Sequence, residues 1–390
     1  MSEPRLPAGL EILFERIRDA GGRALLVGGC VRDALLDVAS KDVDIEVHEL
    51  PVDTLLPLLK QLGRVDEVGR SFGVFKLRWR GEDVDIALPR RDRREGRGHK
   101  GIAATSDPAL GVREAARRRD LTVNAIAWDP LQRVYEDPFG GRADLRARRL
   151  RAVDHDTFGE DPLRALRVAQ FAARFDFGVA PELEQLCAEM PLEELPSERV
   201  RGEVEKLILK GRQVRRGWDL AWRTGMWRRV VPAWDHECPQ RVERVCATTL
   251  EEGPKLAAAY AAAGPVTDAL DALKVFRREG YPVRDTALFL ERHAAMVDAS
   301  DAVLRGLADE GPIALLAVFL EQPWLLDRAR ALGVADGPLP ALVAGKDLVA
   351  LGVRPGPRMG ALLDEVRRAQ IAGTLQTSDE ARAWLRDRVT

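Results

Sequence analysis

The stretch Leu26-Val27-Gly28-Gly29-Cys30-Val31-Arg32-Asp33, followed by Asp42-Val43-Asp44, decides how this chain is read. Ala24 to Val27 is a short apolar run that ends in a glycine pair, the pattern of a buried strand leading into a turn. Asp42 to Val47 alternates acid and apolar residues, which is strand periodicity. Residues i and i+2 of a strand face the same side, so Asp42 and Asp44 stand side by side. Like charges held that close are costly unless a cation lies between them. Two Mg²⁺ ions held by carboxylates activate an attacking hydroxyl and stabilise leaving pyrophosphate. Gly28 and Gly29 lie between strand and helix, where missing side chains let a triphosphate approach backbone N–H groups. Arg32 falls one turn into that helix, facing the phosphates. A D-x-D pair alone is ordinarily two exposed acids; joined to GG-x-V-R-D at this spacing it is far more specific.

Working outward, Gly73–Trp79 and Asp83–Leu88 read as a hairpin pair. Asp85 is a candidate third carboxylate, with a solvent-facing strand acid as its plain alternative. Arg90 to Pro108 is rich in Arg and Gly and lacks periodicity. It reads as a long mobile loop, and loops of that length are usually functional. After about residue 145 strand signals nearly vanish and helical periodicity dominates. Asp161-Pro162 has the form of an N-cap followed by Pro at the first helical position, and Ser197 opens another helix.

Two more constellations carry chemistry. Arg117-Arg118-Arg119-Asp120, followed by Asn124, can hold ribose and triphosphate; a basic helix end before a strand is the bland alternative. In Glu160-Asp161-Pro162-Leu163-Arg164-Ala165-Leu166-Arg167, Asp161 and Arg164 are i, i+3 neighbours on one helix face. They offer an acceptor beside a donor. Cytosine and adenine both present an exocyclic amine beside a ring-nitrogen acceptor, and this pair complements that edge. The alternative is an intrahelical salt bridge worth only about 0.3–0.5 kcal/mol.

Composition bounds the rest. The chain has 390 residues, 46% hydrophobic and 31% charged. That length corresponds to roughly two to four domains of ordinary globular character. No apolar stretch approaches a membrane span, and the N-terminus has no signal-peptide core. Cys30, Cys187, Cys238 and Cys246 form no C-x-x-C pair, so reduced, buried thiols are expected. The His155-Asp156 doublet is isolated. Net charge is −2, yet residues 86–151 carry 16 Lys/Arg against 9 Asp/Glu and residues 201–230 carry 9 against 3. Such local basic zones suit a phosphate backbone. Trp218, Trp222, Trp227 and Trp234 lie close together there, and core packing is the favoured reading over base stacking.

LVGGCVRD with DVD, RRRDLTVNAIAWDP, EDPFGGRADLRARRLRAV, GEDPLRALRVAQFAARF and PSERVRGEVEKLIL follow one another in order. This succession resembles the head and neck of class II tRNA nucleotidyltransferases and poly(A) polymerases, within the polymerase-β-like superfamily. LVAGKDLVALGVRPGPRMGALLDEV is similar to the tail of bacterial CCA-adding enzymes. The resemblance implies an α+β fold: a nucleotidyltransferase head over residues 1–145, a helical neck over 146–212, a body over 213–290 and a tail over 291–390.

It also implies template-independent addition of C, C and A to tRNA from CTP and ATP. Asp42 and Asp44 would bind Mg²⁺, with Asp85 as third carboxylate. Gly28, Gly29, Arg32, Arg119, Asp120 and Asn124 would hold the nucleotide. Asp161 and Arg164 would read the base, and Arg167 would support it. The acceptor and T arms of tRNA would lie on the helical remainder, where Arg354 and Arg358 flank the turn Pro355-Gly356-Pro357. Neither a membrane nor DNA is expected as partner, and the location implied is cytoplasmic. Gln170 departs from the pattern, which usually has Arg there. The Arg90–Pro108 segment argues against CC-only addition, and the PGPRMG tail against a poly(A) product. The rivals are an A-adding enzyme, a poly(A) polymerase and a non-catalytic RNA-binding protein.

Overall fold

In the computed structural model the apolar run forms β1 (Arg23–Val27), and the alternating stretch forms β2 (Val43–His48). The structure describes residues 3–40, 42–69, 73–94, 102–234 and 238–389. The expected hairpin is β4 (Val74–Trp79) paired antiparallel with β5 (Glu82–Ala87). With β3 (Arg64–Gly69), β8 (Ala127–Asp129) and β9 (Val134–Glu136) these make a seven-stranded sheet in the order β3-β4-β5-β2-β1-β8-β9. β2 and β5 run parallel; the other neighbours are antiparallel. Leu25, Leu26, Ile45, Val47, Val84 and Ile86 are buried in it, as the alternation requires. The glycine pair starts α2 (Gly29–Leu35), and Gly28 has φ 73, a left-handed conformation that favours glycine.

One expectation fails here. Arg90 to Pro108 is not an unstructured loop: β6 (Arg90–Arg94) and β7 (Ile102–Ser106) pair antiparallel from Arg90↔Ser106 to Arg94↔Ile102. The pairing is a backbone property, and a strand of RRDRR has little propensity to announce it. Arg91 is anchored at the base by Asp107 and Glu114. Residues 95–101 lie outside the described residues.

The chain divides into two compact units, residues 1–239 and 240–390. In the first, α4 (Val112–Arg117) lies between β7 and β8, and β9 is followed by α5 (Gly141–Arg146) and α6 (His155–Phe158). Then come α7 (Leu163–Phe175), α8 (Pro181–Glu189), α9 (Ser197–Lys210), α10 (Val214–Arg223) and α11 (Met226–Val230). Asp161 Oδ1 accepts the Leu163 N–H at 3.2 Å, so α7 opens within two residues of the expected cap. Helices α7 and α10 touch at Gly217, where a Cβ would lie 2.3 Å from the Ala169 carbonyl oxygen. Trp218, Trp227 and Trp234 are buried with ring centroids 4.7–4.9 Å apart, which is core packing. Such aromatic contacts add to their large area burial. Cys30 and Cys187 are buried free thiols. Burial pushes them up to about 11 and about 12, in keeping with inert cysteines.

The second unit is helical among its described residues. Val343, Leu348, Val353, Leu362, Val366 and Leu385 form one of its cores. Pro355-Gly356-Pro357 is a turn between the helices Gly345–Ala350 and Pro357–Ala372, with Arg354 and Arg358 exposed. The fold is α+β, as expected: among the described residues a seven-stranded mixed sheet and two two-stranded sheets, with a helical remainder. Trp218→Ala should lower unfolding free energy by roughly 3–5 kcal/mol, the cost of a large cavity in a close-packed core. Denaturant titration followed by the fluorescence of the remaining tryptophans measures it.

Candidate active site

The Gly28–Gly29 turn, the start of β2 and the first turn of α7 enclose a cavity of about 410 Å³. Gly28, Gly29, Arg32, Asp44, Arg119, Asp120 and Asn124 line one side, and Asp161, Arg164, Arg167 and Arg199 the other. Ten of the residues singled out from sequence therefore share one space. Asp42 and Asp85 do not line it. Both open onto a neighbouring depression of about 580 Å³ that also holds Asp83 and Lys76.

The three carboxylates differ in their surroundings. Asp42 precedes β2 by one residue and is exposed. Asp44 and Asp85 are register partners across the parallel β2–β5 pair, so their side chains share a face. Lys76 Nζ lies 3.0 Å from Asp85. Burial, then the charges of Asp85 and Asp42, push the Asp44 carboxyl above its ordinary value, against Arg119 and Lys76. Among the described residues no group of three His, Cys, Asp or Glu side chains encloses a metal. Hard cations of the Mg²⁺ type use one or two carboxylates, keep waters and take further oxygens from phosphate. The crowded oxygen donors at Asp44 fit such a divalent cation.

The opposite wall is a network. Arg167 forms a two-pronged pair with Asp120, at 2.8 Å from both Nε and Nη2. The other Asp120 oxygen accepts from Asn124 Nδ2 at 2.8 Å and from the Leu121 N–H at 2.8 Å. Asn124 Oδ1 in turn accepts from Arg32 Nη1. Arg32 also pairs with Asp33 and lies over the rings of Phe171 and Phe175. Burial alone would raise the Asp120 carboxyl, but Arg167 and Asn124 outweigh it and hold the group below its ordinary 3.8. Asp120 and Asn124, expected to hold ribose and triphosphate, are thus engaged in holding arginines.

Asp161 and Arg164 face the cavity but are not bonded to each other as an intrahelical salt bridge. Arg199 on α9 grips Asp161 through Nη1 at 3.3 Å and Nη2 at 2.8 Å. Arg164 donates to the carbonyl oxygens of Thr157 and Arg118. Arg199 escaped the sequence reading, although it lies in the PSERV stretch quoted above. So did Glu46, two residues beyond Asp44 in the same period. It is buried beside His48, Arg118 and Arg119. Burial opposes its ionisation, but those three basic groups hold it at about 2. Gln170, the departure noted above, is buried on α7 outside this cavity.

A mixed sheet that sets carboxylates beside an arginine-lined cavity defines a polymerase-type head. In comparison with known proteins, residues 24–151 match the poly A polymerase head domain, and residues 176–238 match the probable RNA and SrmB-binding site of polymerase A. Residues 24–151 therefore carry a poly A polymerase head domain.

It is 40% identical over 230 residues to the CCA-adding enzyme of Bordetella pertussis, covering 57% of this chain and 60% of that protein. It is 43% identical over 190 residues to the multifunctional CCA protein of Mannheimia succiniciproducens, covering 47% and 43%. The chain thus spans about half the length of the curated relatives it matches. Its fold is that of the Bacillus stearothermophilus CCA-adding enzyme solved with CTP, with TM-score 0.76, 24% identity and 98% of each chain covered. The Thermotoga maritima CCA-adding enzyme complexed with tRNA gives TM-score 0.70 at 20% identity, over 100% and 97%. No helix among the described residues is long and apolar enough to cross a membrane.

The Asp120–Arg167 pair makes a testable contribution. A depressed carboxyl adds stability that is fully present above its ordinary pKa and is lost as pH falls through its folded value. Asp120→Asn should cost about 2–3 kcal/mol at pH 7, below a fully buried pair because the Arg167 side chain is one-third exposed. The gap between wild type and variant should narrow once pH drops below the ordinary 3.8. Urea titrations across that range measure it; a gap independent of pH would contradict the assignment.

Proposed function

We propose that this protein is a CCA-adding tRNA nucleotidyltransferase, adding C, C and A to the 3′ end of tRNA from CTP and ATP without a nucleic-acid template. The observation that carries this is one cavity in which Asp44, five arginines and the Asp161–Arg164 wall meet. A triphosphate carries the negative charge that such an arginine surplus complements. The two curated relatives are named for the same activity.

In this reading the RNA 3′-hydroxyl attacks the α-phosphorus. A new P–O bond forms to the primer oxygen, and the bond to the β-phosphate breaks, releasing pyrophosphate. Asp42 and Asp44 would hold Mg²⁺, and a divalent cation there would supply a lowered pKa for the attacking hydroxyl and charge stabilisation for the leaving oxygen. Asp85, alongside Asp44, completes the acidic face on which the primer end arrives. Arg32, Arg119 and Arg167 neutralise and orient the triphosphate. Gly28 and Gly29 leave room for phosphate close to the backbone. Asp120 and Asn124 keep the Arg167 and Arg32 guanidiniums aimed.

Asp161 and Arg164 read the base. An acceptor beside a donor matches the shared edge of cytosine and adenine and opposes uracil and guanine, which present a carbonyl and a ring N–H there. Arg199 and the Thr157 and Arg118 carbonyls fix the two groups before any base arrives. That preorganisation lets a protein wall act as template. The head would comprise residues 1–145 and the neck 146–212; residues 213–290 and 291–390 would serve as body and tail holding the acceptor and T arms by shape and phosphate contact. Buried free thiols are in keeping with the cytoplasm.

The deciding experiment is incorporation into a tRNA lacking its 3′ CCA, with CTP, ATP, both or neither, with and without Mg²⁺. A CCA product needing both nucleotides and the metal is expected. A single A on CC-ended tRNA with no C on the truncated form would make it an A-adding enzyme, and a long A tract a poly(A) polymerase. No incorporation would leave a binding protein. Asp44→Ala should reduce incorporation at least about 10³-fold while leaving the circular-dichroism spectrum intact. Arg164→Ala should erode discrimination of C and A against U and G by about 10-fold or more, the loss of one charge-assisted hydrogen bond. Unchanged nucleotide selectivity in that variant would sink the template assignment.

A further inference from the structure

Strand geometry puts Glu46 in one row with Asp42 and Asp44, since residues i and i+2 of β2 share a face. Unlike them it is buried, 3% exposed. An unpaired carboxylate there would be expensive, and this one is compensated on every side. His48 Nε2 lies 3.4 Å from Oε1; Arg118 Nη2 and Arg119 Nη2 lie 3.5 and 3.7 Å from Oε2. Neither Glu46 nor His48 lines the nucleotide cavity, whereas Arg119 does.

The Arg119 guanidinium is held from two sides. Its Nη2 faces Glu46, while its Nη1 lies 3.4 Å from the Asn124 carbonyl oxygen and stands over Gly28. A Cβ on Gly28 would come 3.0 Å from that Nη1 and 3.8 Å from Asp44 Oδ2. The cation therefore sits between a buried carboxylate and the carboxylate that faces the cavity. Arginine–carboxylate pairs are strong charge-assisted bonds, so a guanidinium between two acids is held by both. With Glu46 neutral, Asp44 is the acid left to capture it, and a cation on Asp44 competes with a metal there.

We propose that Glu46 is a positioning residue: it holds Arg119 toward the nucleotide phosphates and keeps it from collapsing onto Asp44. The inference rests on the assignment of Arg119 to the triphosphate made above. It goes further in naming what aims that arginine, a group that touches no substrate.

The test compares wild type, Glu46→Gln, Glu46→Asp, Arg119→Ala and the double variant Glu46→Gln/Arg119→Ala. Steady-state incorporation with CTP and ATP is measured together with equilibrium binding of each nucleotide. Glu46→Gln should raise KM for both nucleotides about tenfold with a smaller change in kcat, the sign of lost ground-state binding. It should also raise the Mg²⁺ concentration needed for half-maximal rate. Glu46→Asp, which keeps the charge, should recover part of the loss. In the Arg119→Ala background Glu46→Gln should add nothing, because residues that act through one another are non-additive.

A purely structural role would lower the active fraction and leave KM unchanged. That result, or independent effects in the double variant, overturns the proposal. If Glu46→Gln does not fold, Glu46→Asp with and without Arg119→Ala is read by the same criteria. Nucleotide binding by the wild type separates the two readings. A wild type that binds CTP and ATP but incorporates neither fails the proposed function, while the Glu46 comparison still stands on binding alone.

Discussion

The first unit depends on one buried carboxylate. Asp120 sits at the end of the basic run after α4, accepts from the Arg167 side chain with one oxygen, and accepts from Asn124 Nδ2 and the Leu121 N–H with the other. Arg167 belongs to α7, so this pair fastens the helical segment to the sheet-bearing segment. Asn124 passes the restraint to Arg32 on α2. A carboxylate desolvated this completely survives only with its partners in place. The geometry is thereby over-determined, and the cavity between the two segments keeps its shape.

Around that pair the cavity is a balanced set of charges. Arginines outnumber acids in its lining, which leaves positive charge for a polyanion. Each acid has a distinct surrounding. Asp44 is pushed up by burial and by the like charges of Asp85 and Asp42. Asp120 is buried and held down by its partners. Asp161 is gripped edge-on by Arg199. Three carboxylates of one chemical kind thus acquire three characters.

Much of this was legible in the chain. Period-2 alternation at 42–47 gave the strand that carries Asp44. The apolar run before Gly28-Gly29 placed the strand and its turn. Helical periodicity after residue 145 gave the fold class. The failures share a cause. β6 and β7 were missed because ladder hydrogen bonds belong to the backbone and leave no trace in RRDRR. Arg199 as the partner of Asp161 was missed because 38 residues separate them and α9 must fold back along α7 before they meet. Glu46 was passed over as one more acid in an alternating strand.

Local periodicity and spacing by themselves determined which residues face together within a strand or a turn of helix, because those relations are set by backbone geometry of a few residues. They determined the strand that carries Asp44 and the glycine turn before α2. Which charge answers which was decided only by the tertiary structure. Asp161 pairs with Arg199 rather than Arg164, Asp120 with Arg167, and Glu46 with Arg118 and Arg119. The physical reason is that Coulomb and hydrogen-bond energies depend on distance and burial, and both are products of packing between segments far apart in the chain.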